Sequence, residues 1–171
     1  MQHFDNIDPN TIDNDPRIII KFEEYLEDIQ RSWFLYLLKD GDHLIWASKG
    51  TTSARNGNPP KLLGGNILEF PIKGLPWFIT TLEQRFFKTE AEGGLPKGKF
   101  AHEEIVDGEH LCVSRMFGEP GYGFRNDSRQ DHVITTYKSP QQADFSDELL
   151  FKKGLFDEFK KIASKIESGD L

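Results

Sequence analysis

Apolar residues recur with two periods along this chain, and the change from one to the other divides it into elements. From Asp15, "RIIIKFEEYLEDI" sets Ile18, Phe22, Tyr25, Leu26 and Ile29 at helical spacing behind a capping Asp15 and Pro16. It predicts a short helix over residues 15–30. In "RSWFLYLL" the period falls to two: Trp33, Leu35 and Leu37 alternate with Phe34, Tyr36 and Leu38. A strand here is apolar on both faces. Asp40-Gly41-Asp42 then predicts a hairpin into "HLIWASKG", and "TTSARNGNPPKLLGGN", residues 51–66, reads as a mobile loop. "ILEFPI" restarts a strand, and Gly74 opens a helix from about Leu75 to Lys88 with Pro76 in its first turn.

The second half repeats this order. After the linker "EAEGGLPKG", strands are expected in "KFAHEEIV" and "EHLCVSRMF" on either side of Asp107-Gly108, then in "GYGFRN", "HVITTYKS" and "DELLF". A helix from about Gly154 to Glu167 follows, with Leu155, Phe159, Ile162 and Ile166 on one stripe. Lys73-Gly74-Leu75 and Lys153-Gly154-Leu155 echo one another at the two strand-to-helix junctions, and "HLIWASKG" echoes "HVITTYKS". The expected fold class is therefore α+β: two antiparallel ββββα-like repeats sharing a core, at residues 31–90 and 91–171 of one compact domain. Ahead of them stand the helix at 15–30 and an acidic, flexible leader at 1–14.

Charge sharpens that division. The formal net charge is -7, and residues 1–30 hold eight acids against Arg17 and Lys21. The remainder is nearly neutral, so an acidic pI does not exclude a polyanionic partner. A leader of this charge is expected to serve as a solubilising tail, with the alternative that it lies on the basic loops and competes with phosphate. No apolar run approaches about 18 residues, and the N-terminus is acidic, so neither membrane span nor signal peptide is expected. The single Cys112 leaves no internal disulfide framework and no multi-cysteine zinc site. The expected location is the cytoplasm or another reducing intracellular compartment.

Two runs of strands each closed by a helix, with the strand, small-residue turn and helix of "ILEFPIKGLPWFITTLEQRFF", resemble the Whirly single-stranded DNA-binding proteins and the Pur family. The resemblance spans about Ser32 to Ile166 and is one of element order. "KGKFAH", Lys97 to His102, stands before the second half instead of the first, where Whirly proteins carry Lys-Gly-Lys-Ala. "HLIWA" lacks the Arg that Pur repeats carry on their second strand. What the resemblance implies is single strands lying across sheet faces and hairpin edges, held by stacking and phosphate contacts.

The residues support such a mode where aromatics and cations interleave, because bases need π surfaces and phosphates need Lys or Arg. "RMFGEPGYGFRNDSR" places Phe117, Tyr122 and Phe124 among Arg115, Arg125 and Arg129. A second candidate runs from Trp46 and Lys49 through Arg55 to Lys61 with no acid between. Packing is the competing reading for Trp33, Trp46 and Trp77, and a solvated face for the lysines of the last helix. The expected partner is single-stranded DNA or RNA, with homo-oligomers as a further form. The alternative is a protein-interaction or assembly module that buries the same aromatics against another subunit.

Enzymatic readings find little footing. No histidine has metal-like spacing to another His or a Cys; His102, Glu103, Glu104 and His110 come nearest to a cluster. Cys112 has no neighbouring base, and no helix follows "GEPGYGF" to turn it into a phosphate loop. No catalytic residue, metal or cofactor is expected.

Overall fold

The structure is a computed structural model and describes residue 4 and residues 7–26, 31–51, 62–130 and 140–171. Its first sheet is an antiparallel meander of β1 (Ile18–Leu26), β2 (Arg31–Asp40), β3 (His43–Thr51) and β4 (Leu62–Pro71), in that spatial order. Helix α1 (Gly74–Thr81) follows and runs on through a wider π turn, Leu82–Phe86. The second sheet is a meander of β5 (Ala101–Val106), β6 (Glu109–Arg115), β7 (Gly121–Gln130) and β8 (Pro140–Ser146). A π turn at Glu148–Lys152 leads from it into α2 (Leu155–Ser168). The fold is α+β and mostly sheet.

Of the helix expected over residues 15–30, the described residues 18–26 form a strand. Ile18, Ile19 and Ile20 are β-branched, and the chain from Ile18 to Leu26 pairs along β2, so that Lys21 faces Tyr36 and Glu23 faces Phe34. Ladder bonds to a neighbouring strand outweigh a helical spacing that held only five apolar residues. Residues 62–66, read as loop, are the first half of β4, paired with the end of β3. "DELLF" is helical, because the fourth strand of the second sheet has already ended at Ser146. "HVITTYKS", residues 132–139, lies outside the described residues.

One core joins the two sheets. Leu35, Leu37, Leu44, Trp46, Leu68 and Phe70 line the inner face of the first sheet, and Leu111, Val113, Tyr122, Phe124, Ala143 and Phe145 that of the second. Phe78 of α1 stacks on Phe124 at 4.9 Å and meets Phe145 and Phe159, tying α1 and α2 to the second sheet, and Phe159 meets Trp46 of the first. Where the sheets meet, β4 is an edge strand whose unpaired backbone groups need partners. The Glu69 N–H donates to the Gln141 side chain at 2.8 Å, and the Asn126 amide donates to the Glu69 carbonyl at 2.8 Å. Two amide side chains of the second sheet thus close the edge of the first.

The outer face of the first sheet is apolar as well, and the leader covers it. Phe4 and Ile12 are buried against Tyr36, Leu38, Ile45 and Ala47, with Ile7 packed beside them. The leader is therefore not free in its described part: a turn from Asp8 to Asn14 lies on the sheet, held by Ile12 N–H donating to the Asp8 carbonyl at 3.0 Å. Both faces of β2, apolar in sequence, are buried.

Candidate nucleic-acid interface

The ten residues singled out in the sequence fall into the core, into ion pairs, onto the surface or outside the described residues. Trp46 is buried edge-on to Phe145 and Phe159, at 5.1 and 5.6 Å. Phe124 and Tyr122 are likewise core side chains. No base can stack on these rings, because an antiparallel strand sends alternate residues inward and these three point to the core. Lys49 and Arg129 are buried ion-pair members, and Arg125 is paired to Asp127 through two of its nitrogens. Arg55 and Lys61 lie outside the described residues. Arg115 and Phe117 remain on the surface.

The first candidate region is a buried polar cluster where β3, β4, β6 and β7 meet. The Arg129 guanidinium donates to both Glu109 carboxylate oxygens at 2.7 Å and to Glu69 at 3.0 Å. Asn126 donates to Glu109 at 2.6 Å, and His43 lies between Asp42 and Glu109, 2.6 and 2.9 Å from their oxygens. Burial alone would push the Glu109 carboxyl up; hydrogen bonds from Arg129, His43 and Asn126 outweigh it and hold it at about 2. Phe4 of the leader closes the cluster, its ring 5.3 Å from the Arg129 guanidinium carbon and 5.2 Å from the His43 ring. With Asp42 at its exposed margin and Glu69, Glu109, Asn126 and Arg129 buried, the paired cluster is built to hold the sheets together.

The second is the outer face of the second sheet. Glu103, Cys112 and Arg125 stand side by side across β5, β6 and β7. Glu103, Cys112 and Asp127 bring their ligand atoms within 4.8 Å of one another, a convergence invisible to a search for histidine spacing. Arg125 already donates to both Asp127 oxygens and supplies the positive charge that a metal would bring. Burial pushes the Cys112 thiol up, with Arg125 opposing, so the sulfur is not poised as a thiolate.

The third surface was not found from sequence. Four phenylalanines are exposed: Phe117 at 85%, Phe100 at 55%, Phe87 at 45% and Phe151 at 44%. Phe100 and Phe117 meet edge to face at 6.0 Å, and Phe87 and Phe151 at 5.7 Å. Arg115 links the pairs. Its N–H donates to the Phe100 carbonyl at 2.9 Å, while its guanidinium lies 5.9 Å from the Tyr122 ring, itself 6.1 Å from Phe87. Each of these four rings has a cation within two residues in sequence: Lys88, Lys99, Arg115 and Lys152, all exposed. The signal "FFK", "KF", "RMF" and "FKK" is legible in the chain but scattered over 68 residues, and only the fold assembles it.

Compared with models of known protein families and with characterised proteins, the chain matches none.

Proposed function

We propose that this protein binds single-stranded nucleic acid, DNA or RNA, along the strip from Phe117 through Phe100, Arg115 and Phe87 to Phe151, and that it does so without catalysis. The observation that carries this reading is that four exposed phenylalanines, each with an exposed cation beside it in sequence, form two ring pairs joined through Arg115 and Tyr122. Rings supply sequence-tolerant stacking platforms, and cations take the intervening phosphates. Rings on a soluble surface with no such task would more commonly be buried. The order of four strands and a helix, met twice, supports reading the halves as repeats of the Whirly or Pur kind. The platform then lies at helix ends and a hairpin tip, while the inner sheet faces form the core and the outer face of the first sheet lies under the leader.

Fluorescence anisotropy with a labelled oligothymidylate of about 20 nucleotides tests this. The double variant Phe100→Ala/Phe117→Ala should lose at least about fivefold in affinity, since one lost stacking contact is worth about 1–3 kcal/mol. Binding should weaken with salt, the log–log slope approaching about -2.8 if all four cations meet phosphates. Undiminished binding by the variant would refute the strip. Salt-insensitive self-association abolished by the same substitutions would favour the assembly-module alternative, for which Ile105, 76% exposed, speaks.

A further inference from the structure

Asp13 holds an unusual position for a leader residue. Its carboxylate accepts from Lys21 at 2.7 Å, from the Tyr36 hydroxyl at 2.8 Å and from Lys49. The two ammonium groups lie over the rings of Phe34 and Tyr36, at 5.4 and 5.8 Å for Lys21 and 5.9 and 5.8 Å for Lys49. Two cations, a hydroxyl and two rings thus converge on one anion, on the outer face of an antiparallel sheet. These are the groups that a phosphodiester flanked by bases calls for.

The leader fits the face incompletely. A cavity of about 30 Å³ remains between Ile7, Pro9 and Ile12 above and Ala47, Lys49 and Ile67 below. Lys49 is buried beneath the leader, and its ammonium reaches Asp13 and, at 3.4 Å, the Pro9 carbonyl. Both partners belong to the leader, so lifting it frees the cation. Lys21 keeps nearly half of its side chain exposed and is already accessible at the margin.

We propose that residues 7–14 form a displaceable strap, and that Asp13 occupies a phosphate site of the first sheet made by Lys21, Lys49 and Tyr36. The ligand is the backbone of a single strand, with Phe34 and Tyr36 available to its bases once the strap lifts. Strap and strand exclude one another, so the leader raises the threshold for binding and the sheet extends the contact when it is crossed. This rests on the nucleic-acid reading of the exposed strip, which it deepens into a two-surface interface with a built-in competitor.

The test uses the full chain and the same labelled oligothymidylate. In the double variant Ile12→Ser/Asp13→Asn the strap loses both its apolar anchor and its anion. Affinity at low salt should rise by about tenfold, and the log–log salt slope should steepen by about 1.4, because two further cations meet phosphates. Adding Lys21→Gln and Lys49→Gln should return both affinity and slope to those of the unaltered chain. A strap serving only stability would leave the slope where it was. If the double variant does not fold, Asp13→Asn alone suffices: Lys21 is freed and the slope should steepen by about 0.7. A folded variant with unchanged affinity and slope overturns the strap, while continued dependence on Phe100 and Phe117 leaves the exposed strip standing. No binding by any form overturns both.

Discussion

The outer faces of the two sheets are opposites. That of the first carries Phe34, Tyr36, Leu38, Ile45 and Ala47 and lies under the protein's own leader; that of the second carries Glu103, His110, Arg125 and Asp127 and faces water. An antiparallel sheet tolerates one wet face only if that face alternates polar with apolar. The second sheet meets this condition by sending Leu111, Val113 and Phe124 inward and Cys112 and Arg125 outward. β2 does not, so the first sheet needs a cover. The difference teaches where a ligand can displace something: a wet face has nothing to release, whereas a face under a short strap exchanges one cover for another.

Charge separates the faces as well. Arg129, wedged against Glu109 and Glu69, and Arg125, paired with Asp127, belong to the same strand, yet one pair is enclosed and the other open. The largest expected effect follows from the enclosed one. Arg129→Met leaves two buried carboxylates without their cation and should cost about 3–5 kcal/mol in urea unfolding at neutral pH. A loss below about 1 kcal/mol would mean that the cluster is not what joins the sheets.

Acid should act on the same cluster nearly as strongly. The Glu109 carboxyl is held at about 2 in the folded protein against 4.5 for the ordinary group. Its contribution is therefore complete above about pH 4.5 and is lost as pH falls toward 2. Full titration removes about 3 kcal/mol. Asp13, which Lys21, Lys49 and Tyr36 hold well below the usual carboxylate range, moves stability the same way. Urea midpoints compared between pH 7 and pH 3 read the combined loss; an Arg129→Met protein with an undiminished acid response would exclude the cluster as its source.

A third comparison weighs cover against no cover. Ile12→Ala removes a buried anchor of the strap and should cost about 2 kcal/mol, while Ile105→Ala, on the open face, should stay within about 0.5 kcal/mol. Equal effects would show that the strap is not packed in solution. A small effect is likewise expected of Arg125→Met: a partly exposed pair of this kind is worth about 1 kcal/mol or less, measurable only by careful thermal unfolding.

The two Lys-Gly-Leu junctions look alike in sequence and are met in structure for different reasons. Gly154 has φ +83°, a left-handed conformation that other residues adopt only with strain. A side chain on Gly74 would meet the Phe70 ring at 2.8 Å, so that glycine answers to a close approach. The echo marked both helix starts correctly without revealing why glycine stands there.

What the sequence settled alone was local. Asp107 and Gly108, at φ +46° and +86°, make the tight hairpin turn that the dipeptide announces, and both helices stand within a few residues of where their apolar stripes put them. Apolar alternation along β2 correctly required cover on both faces. Only the tertiary structure decided which segment supplied it, and in deciding so it drew Ile18–Leu26 into a strand. It likewise decided which aromatics point inward, because alternation fixes two faces without naming the one that meets the core. Trp46, Tyr122 and Phe124 went in, and Phe87, Phe100 and Phe151 stayed out on turns and helix ends. Lys49 and Arg129 read as free cations in the chain; their partners Asp13 and Glu69 stand 36 and 60 residues away, and pairing over such separations is fixed by packing, not by spacing.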